Sequence, residues 1–131
     1  MKIHHVGIAV ESLEAAVPIF ENLLGRGPDS EELVEDEKVR VAVFAVGESH
    51  IELLEATAPD SAIARFISKR GQGIHHLTLS VGNLAESLAQ LEKKGIRPID
   101  REPRAGAGNE RIAFLHPSST AGVLIELVEE K

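Results

Sequence analysis

The chain contains two copies of one sequence pattern, and this internal repeat limits the folds that it can adopt. Ile3–Val10 reads IHHVGIAV, and Ile74–Val81 reads IHHLTLSV 71 residues later. Two further pairs of segments match in the same order, Arg40–Phe44 with Arg111–Leu115 and Ile51–Glu55 (IELLE) with Ile125–Glu129 (IELVE). Three ordered matches indicate that one structural module has been duplicated within the chain.

The residues that follow each repeated strand predict a helix. Ser12 is a suitable N-cap for a first helix with apolar residues at helical spacing, namely Leu13, Ala16, Val17, Phe20 and Leu24. Because Pro18 lies inside this helix, we expect it to kink the helix or to confine it to its second half. In the second copy Asn83 and Glu86 have the spacing of a capping box, and Gly95 should end the helix.

Each copy therefore reads as a strand, a helix and then three strands, which predicts an α+β fold of two tandem βαβββ modules. Residues 60–70 predict a linking helix that ends at Gly71, with Ile63, Phe66 and Ile67 on one face. Residues 104–109 (RAGAGN) are expected to form a mobile loop, because they combine two glycines with no branched apolar side chain. We expect one domain over residues 1–131, with modules at about 1–57 and 73–131.

Composition excludes several kinds of partner and site. The net charge of −7, without any dense run of lysine and arginine, argues against nucleic acid or an anionic membrane surface. The chain has no cysteine, so any metal must be held by histidine and carboxylate. Because no apolar run suits a secretion signal or a membrane span, we expect a cytoplasmic protein.

Two histidines and two glutamates are the candidate metal ligands. Successive side chains alternate between the two faces of a strand. His5 and His76 therefore project from the face that carries small residues, where there is room for a ligand. Glu52 and Glu126 lie within apolar strands, where a carboxylate is costly unless it is paired or bound to a cation. If the modules pair about a pseudo-twofold axis, these four residues converge. Such a set suits divalent Co, Mn, Zn, Ni or Fe.

Neighbouring polar residues have simpler interpretations. His4 and His75 are expected to be hydrogen-bonded core or surface histidines, and His116, which precedes Pro117, is expected to be a turn residue. Glu55, Glu129 and Glu130 are interpreted as solvated charges at strand ends.

The repeated segments of this sequence resemble those of the vicinal oxygen chelate superfamily, and the resemblance extends over essentially the whole chain. The paired strands HHVGIAV and GIHHLTLSV, with IELLE and GVLIELVEE, carry the resemblance. Two longer stretches, PDSAIARFISKRGQGIHHL and REPRAGAGNERIAFLHPSSTAGVLIELVEE, are similar to the methylmalonyl-CoA epimerase family. The resemblance implies a cupped mixed sheet around a metal, held by His5, Glu52, His76 and Glu126.

The resemblance also implies a reaction, in which (R)- and (S)-methylmalonyl-CoA interconvert by metal-assisted proton abstraction and return at C2. Glu126 would be one catalytic base, Co²⁺ the expected ion, an acyl-CoA the substrate, and a homodimer the expected assembly. The chain departs from some epimerases at two positions: Glu52 stands where they have glutamine, and Val41 where they have a proposed catalytic glutamate. The second base is therefore unassigned.

Two other functions stay open at this point. Lactoylglutathione lyase would use the same four ligands on a glutathione hemithioacetal. A metal-free binding module of the bleomycin-resistance type would bind a small molecule without chemistry, and such a module needs no complete ligand set.

Overall fold

The computed structural model describes residues 1–106 and 110–130 of the chain. Its strands and helices follow one another along the chain as β1 (Lys2–Ala9), α1 (Leu13–Leu24), β2 (Ser30–Val34), β3 (Val39–Val46), β4 (Ser49–Ala56), α2 (Ala62–Arg70), β5 (Gly73–Val81), α3 (Leu84–Lys93), β6 (Arg104–Ala105), β7 (Arg111–Leu115) and β8 (Ile125–Glu129). This order confirms the predicted strand, helix and three strands in each copy, with a linking helix between the copies.

The chain divides into two compact units, one comprising Val6–His75 and the other comprising Met1–His5 with His76–Lys131. In the first unit β2, β3 and β4 are antiparallel neighbours. In the second, β5 pairs with β8 in parallel, and β8, β7 and β6 follow as antiparallel neighbours. Since both pairing directions occur, the predicted mixed sheet and α+β class are confirmed. The prediction of one domain over the whole chain stays a prediction.

Helices α1 and α3 begin at the predicted caps. The Ser12 hydroxyl accepts a hydrogen bond from the backbone N–H of Ala15, and the Asn83 side chain accepts one from Glu86. Helix α1 packs its predicted apolar residues into the core of its own unit, and α3 packs Leu84, Leu88 and Leu91 into the core of the other. Pro18 does not confine α1 to its second half, as one of the two expectations had it, because α1 runs from Leu13 to Leu24.

Two glutamates at equivalent positions of the repeat also cap these helices. The Glu55 carboxylate accepts a 2.6 Å hydrogen bond from the backbone N–H of Leu13, in the first turn of α1. The Glu129 carboxylate accepts a 3.0 Å bond from Leu84, in the first turn of α3, and pairs with Arg111. The interpretation of Glu55 and Glu129 as merely solvated charges is therefore wrong. Each carboxylate satisfies an N–H that has no partner within its helix.

The small-residue face of β1 is not open along its whole length. Ala9 is fully buried and packs with Val41, Leu54 and Ile63, the last of which lies on α2. The opposite face, with Ile8 and Val10, packs with the residues of α1, as strand alternation predicts. Space for a ligand on the small-residue face therefore has to be sought at the His5 end of β1.

The glycine-rich stretch after α3 differs in part from its prediction. Arg104 and Ala105 form the short strand β6, which pairs with Ile112 and Arg111 of β7, because an edge position tolerates two residues of little β-propensity. The predicted loop at residues 107–109 lies outside the described residues. Among the described helices, none combines the length and the apolar character that crossing a membrane requires.

Candidate metal centre

Three of the four predicted ligands converge within the unit that comprises Met1–His5 and His76–Lys131. His5 lies on β1, His76 on β5 and Glu126 on β8. The two histidine Nε2 atoms are 3.1 Å apart, and Oε1 of Glu126 lies 3.5 Å from that of His5 and 3.6 Å from that of His76. All three residues are buried, with at most 8% of their surface exposed.

These separations fit a shared metal ion. Ligand atoms that each lie about 2.1 Å from one ion would be roughly 3.0 to 3.4 Å apart at octahedral or tetrahedral angles. Two imidazoles and a carboxylate form a donor set that suits the divalent first-row metals. The residues present therefore fit a divalent metal site, and His5, His76 and Glu126 would hold the ion.

Strand pairing explains how the ligands come together. In the parallel pair β5–β8, Thr78 lies opposite Glu126, so His76 and Glu126 face the same side at neighbouring positions. In the antiparallel pair β7–β8, Phe114 lies opposite Glu126, and its ring meets the His76 ring edge-on at 6.2 Å between centroids. The Phe114 ring thus forms an apolar boundary beside one ligand.

Thr78 also belongs to the site, although the repeat does not mark it as a candidate ligand. Its side chain is fully buried, and its hydroxyl donates a 2.6 Å hydrogen bond to Oε1 of Glu126. The hydroxyl oxygen also lies 3.0 Å from Nε2 of His5. One available signal was that Thr78 follows His76 by two residues, so it shares the face of the candidate ligand.

The surroundings of Glu126 keep its carboxylate ionised. Burial alone would raise the pKa of this carboxyl. The hydrogen bond with His5, the charge of His76 and the hydrogen bond from Thr78 together outweigh burial and hold the pKa below its ordinary value. A carboxylate that stays charged can both bind a cation and accept a proton.

The other unit contains two positions on which the predicted mechanism depends. Glu52 is half-buried in the middle of β4, opposite Val43 of β3, and its role as a fourth ligand stays a prediction. Val41 is 3% exposed and packs in the apolar cluster with Ala9 and Ile63. Val41 is therefore an aliphatic, buried side chain without a group that could carry a proton.

The remaining histidines agree in part with their simpler interpretations. His116 accepts a hydrogen bond from the backbone N–H of Ser118 and caps a short 3₁₀ turn, which confirms the predicted turn. His75 meets the Phe66 ring edge-on at 5.0 Å between centroids. His4 contacts His5 directly, with 2.8 Å between their Nδ1 atoms. His4 is therefore placed next to a candidate ligand.

Comparison with known proteins agrees with this geometry. A model of the Glyoxalase/Bleomycin resistance protein/Dioxygenase superfamily matches residues 4–114. Mitochondrial methylmalonyl-CoA epimerase of Homo sapiens is 35% identical over 127 residues, which cover 96% of this chain and 72% of that protein.

Solved structures give the same result. Methylmalonyl-CoA epimerase from Mycobacterium tuberculosis superposes with a TM-score of 0.92 at 38% identity, covering 99% of this chain and 88% of that chain. A variant of Streptomyces coelicolor methylmalonyl-CoA epimerase in complex with 2-nitronate-propionyl-CoA gives 0.93 at 35% identity, covering 99% of this chain and 94% of that chain. The chain therefore belongs to the Glyoxalase/Bleomycin resistance protein/Dioxygenase superfamily and, within it, to the family of the methylmalonyl-CoA epimerases.

Proposed function

We propose that this protein is a metal-dependent methylmalonyl-CoA epimerase that interconverts the (R) and (S) epimers of its substrate. The observation that carries the proposal is the buried cluster of His5, His76 and Glu126, in a chain that matches named epimerases over nearly its full length. The superfamily alone would not specify the reaction, because one fold hosts many activities.

The chemical problem is to remove a weakly acidic proton from the carbon between a thioester and a carboxylate. A divalent ion, when bound, supplies Lewis-acid stabilisation of the negative charge that develops on the substrate oxygens. His5 and His76 would hold that ion through Nε2. Thr78 fixes the Glu126 carboxylate through the hydrogen bond to Oε1.

Glu126 is the residue to which we assign one of the two proton transfers. Its carboxylate is ionised, and Oε1 faces the two histidines, so Oε2 of the same group can act as the acceptor for the C2 proton. If Glu126 both binds the metal and carries the proton, no additional residue is needed beside the reacting carbon for this transfer. Epimerisation then requires proton delivery to the opposite face of C2.

The second proton carrier would be Glu52 or a bound water. Val41 cannot take this role, because its side chain is aliphatic and buried in an apolar cluster. Glu52 has a carboxylate and would, on this proposal, also complete the ligand set. Replacement of Glu52 by glutamine shows whether Glu52 or a water carries the second proton. Glutamine can still bind a metal through its oxygen, but it cannot accept a proton.

Further details of the proposal rest on the family. We propose Co²⁺ as the ion, with Mn²⁺, Zn²⁺, Ni²⁺ and Fe²⁺ as alternatives that the same donor set accepts. We also propose a homodimer that acts on acyl-CoA in the cytoplasm. Metal analysis of the protein as purified and light scattering in solution test the first two points.

An epimerase assay with two substrates tests the function. Metal-stripped protein and protein reloaded with Co²⁺ are each given (S)-methylmalonyl-CoA and, separately, the hemithioacetal of glutathione and methylglyoxal. We expect conversion of the CoA ester only, and only with metal. Turnover of the hemithioacetal alone would assign the protein to the lyases, whereas absence of both activities would favour a binding module.

A further inference from the structure

His4, the residue before a candidate ligand, lies in direct contact with that ligand. The Nδ1 atoms of His4 and His5 are 2.8 Å apart, and the two rings meet edge-on at 5.1 Å between centroids. A hydrogen bond between two ring nitrogens requires one of them to donate and the other to accept. The contact therefore couples the proton position on His5 to the proton position on His4.

Metal binding fixes which nitrogen of His5 can donate. Nε2 of His5 is the atom that faces His76 and Glu126, so a neutral His5 can bind an ion only if its proton is on Nδ1. That N–H then points to Nδ1 of His4, which must accept. Ligating histidines generally donate their second N–H to such a partner, which fixes the orientation of the ring.

An acidic side chain favours the matching tautomer of His4. If Nδ1 of His4 accepts, its proton is on Nε2, and Oε2 of Glu110 lies 3.9 Å from this atom. This separation is too long for a hydrogen bond, but the carboxylate charge still favours a proton on the near nitrogen. Both side chains are partly shielded from water, with 26% and 32% of their surface exposed.

We propose that His4 and Glu110 are positioning residues of the metal site, which hold His5 in the tautomer that binds metal through Nε2. The chain of contacts runs from Glu110 to Nε2 of His4, from Nδ1 of His4 to Nδ1 of His5, and from Nε2 of His5 to the cluster. This inference rests on the proposed metal-dependent function, because it requires His5 to be a ligand.

The repeat supplies a matched control. His75 stands before His76 as His4 stands before His5, but its ring meets Phe66 edge-on within the other unit. The two histidine pairs therefore have the same sequence, and His75 packs against an aromatic side chain of α2. Replacing His75 tests whether the loss of any histidine next to a ligand is enough to weaken the site.

Calorimetric titration of Co²⁺ into the metal-stripped full-length protein gives the first test. His4→Leu removes the acceptor and should raise the Kd about 10- to 100-fold, the range typical of residues that orient a ligand. His4→Asn, whose Oδ1 can accept in place of Nδ1, should restore the Kd to within about threefold of the wild type. Glu110→Gln should have an intermediate effect, and His75→Leu should have a smaller effect than His4→Leu.

The same titration separates failure of this inference from failure of the proposed function. If the wild type binds Co²⁺ and epimerises the CoA ester, but His4→Leu binds equally well, only the positioning role is wrong. An equal loss in His4→Leu and His75→Leu would also overturn it, because the effect would not be specific to His4. Wild-type protein that binds no Co²⁺ would overturn both proposals.

Proton positions can be observed directly. In the ¹⁵N-labelled protein with bound Zn²⁺, which is diamagnetic, long-range ¹H–¹⁵N correlation spectra distinguish the two tautomers of each ring. We expect the proton on Nδ1 of His5 and on Nε2 of His4. A proton on Nδ1 of His4 would contradict the inference, even if metal binding itself were tight.

Discussion

Thr78 connects the two kinds of ligand in the metal site. Its hydroxyl donates to Oε1 of Glu126 and lies 3.0 Å from Nε2 of His5. Thr78→Val keeps the shape of the side chain but leaves the buried carboxylate without this donor, which costs about 1–3 kcal/mol. We expect the affinity for Co²⁺ to fall about tenfold, measured by calorimetric titration.

The control for this prediction keeps the hydroxyl. Thr78→Ser loses one methyl group and should cost some stability, but it can still donate to Glu126. Its affinity for Co²⁺ should remain close to that of the wild type. Equal affinities for the valine and serine variants, both weakened, would show that packing rather than the hydrogen bond matters at this position.

The surroundings of Glu126 should also affect the titration of its carboxyl. In metal-free protein the pKa of its carboxyl should lie below the ordinary glutamate value of about 4.3. Because the pKa is lowered in the folded state, the ionised group stabilises the fold above its ordinary pKa, and this stability is lost as the pH falls through the folded value. A ¹³C titration of the side-chain carboxyl, assigned with Glu126→Gln, would measure it. A midpoint above the ordinary value would show that burial dominates.

Among single residues, the sequence predicted the converging ligands but not the groups around them. His5, His76 and Glu126 could be selected because the repeat placed a polar residue of ligand type at matching positions. A threonine in a strand is common for reasons of β-propensity alone, so Thr78 carried no comparable signal. The contact between His4 and His5 depends on ring orientation, which strand alternation does not determine.

The paired helix caps at Glu55 and Glu129 show that the repeat preserves structural contacts as well as candidate ligands. Each carboxylate accepts from the first turn of the helix in its own unit. Glu55→Ala should therefore lower the free energy of unfolding by about 1 kcal/mol, as for other lost helix caps. Urea denaturation measures the change.

An exposed glutamate provides the comparison for that measurement. Glu48 lies in the turn between β3 and β4 and is exposed, so Glu48→Ala should change stability by less than about 0.5 kcal/mol. If both variants unfold at the same urea concentration, the hydrogen bond from Leu13 to Glu55 contributes nothing to stability.

The helices were predictable because their start and stop residues are local in sequence. Ser12 and Asn83 act at the N-termini, and Gly25 with a φ of 77° ends α1. The short strand β6 was not predictable, because its two residues pair only through contact with β7. The full length of α1 was also not predictable from local sequence. Its apolar stripe packs into the core, and this packing outweighs the unfavourable Pro18.

For the whole molecule, duplication made the set of ligand types predictable but did not show which strands lie side by side. The convergence of His76 with Glu126 depends on parallel pairing of β5 with β8, in which the paired residues Thr78 and Glu126 are 48 positions apart in the chain. Parallel neighbours need a long connection, and the sequence between them does not specify the register. Family resemblance supplied the missing arrangement, and the structural comparisons confirm the fold.

Deuterium exchange at C2 of the substrate shows whether the protein is a metal-dependent epimerase. Methylmalonyl-CoA is incubated in deuterated water with metal-stripped wild type, with Co²⁺-loaded wild type, and with Glu126→Gln at a Co²⁺ concentration that saturates it. We predict deuterium at C2, with inversion, only for the loaded wild type. Inversion that is equally fast without metal, or that survives in Glu126→Gln, would contradict a metal-dependent epimerase in which Glu126 carries one of the two protons.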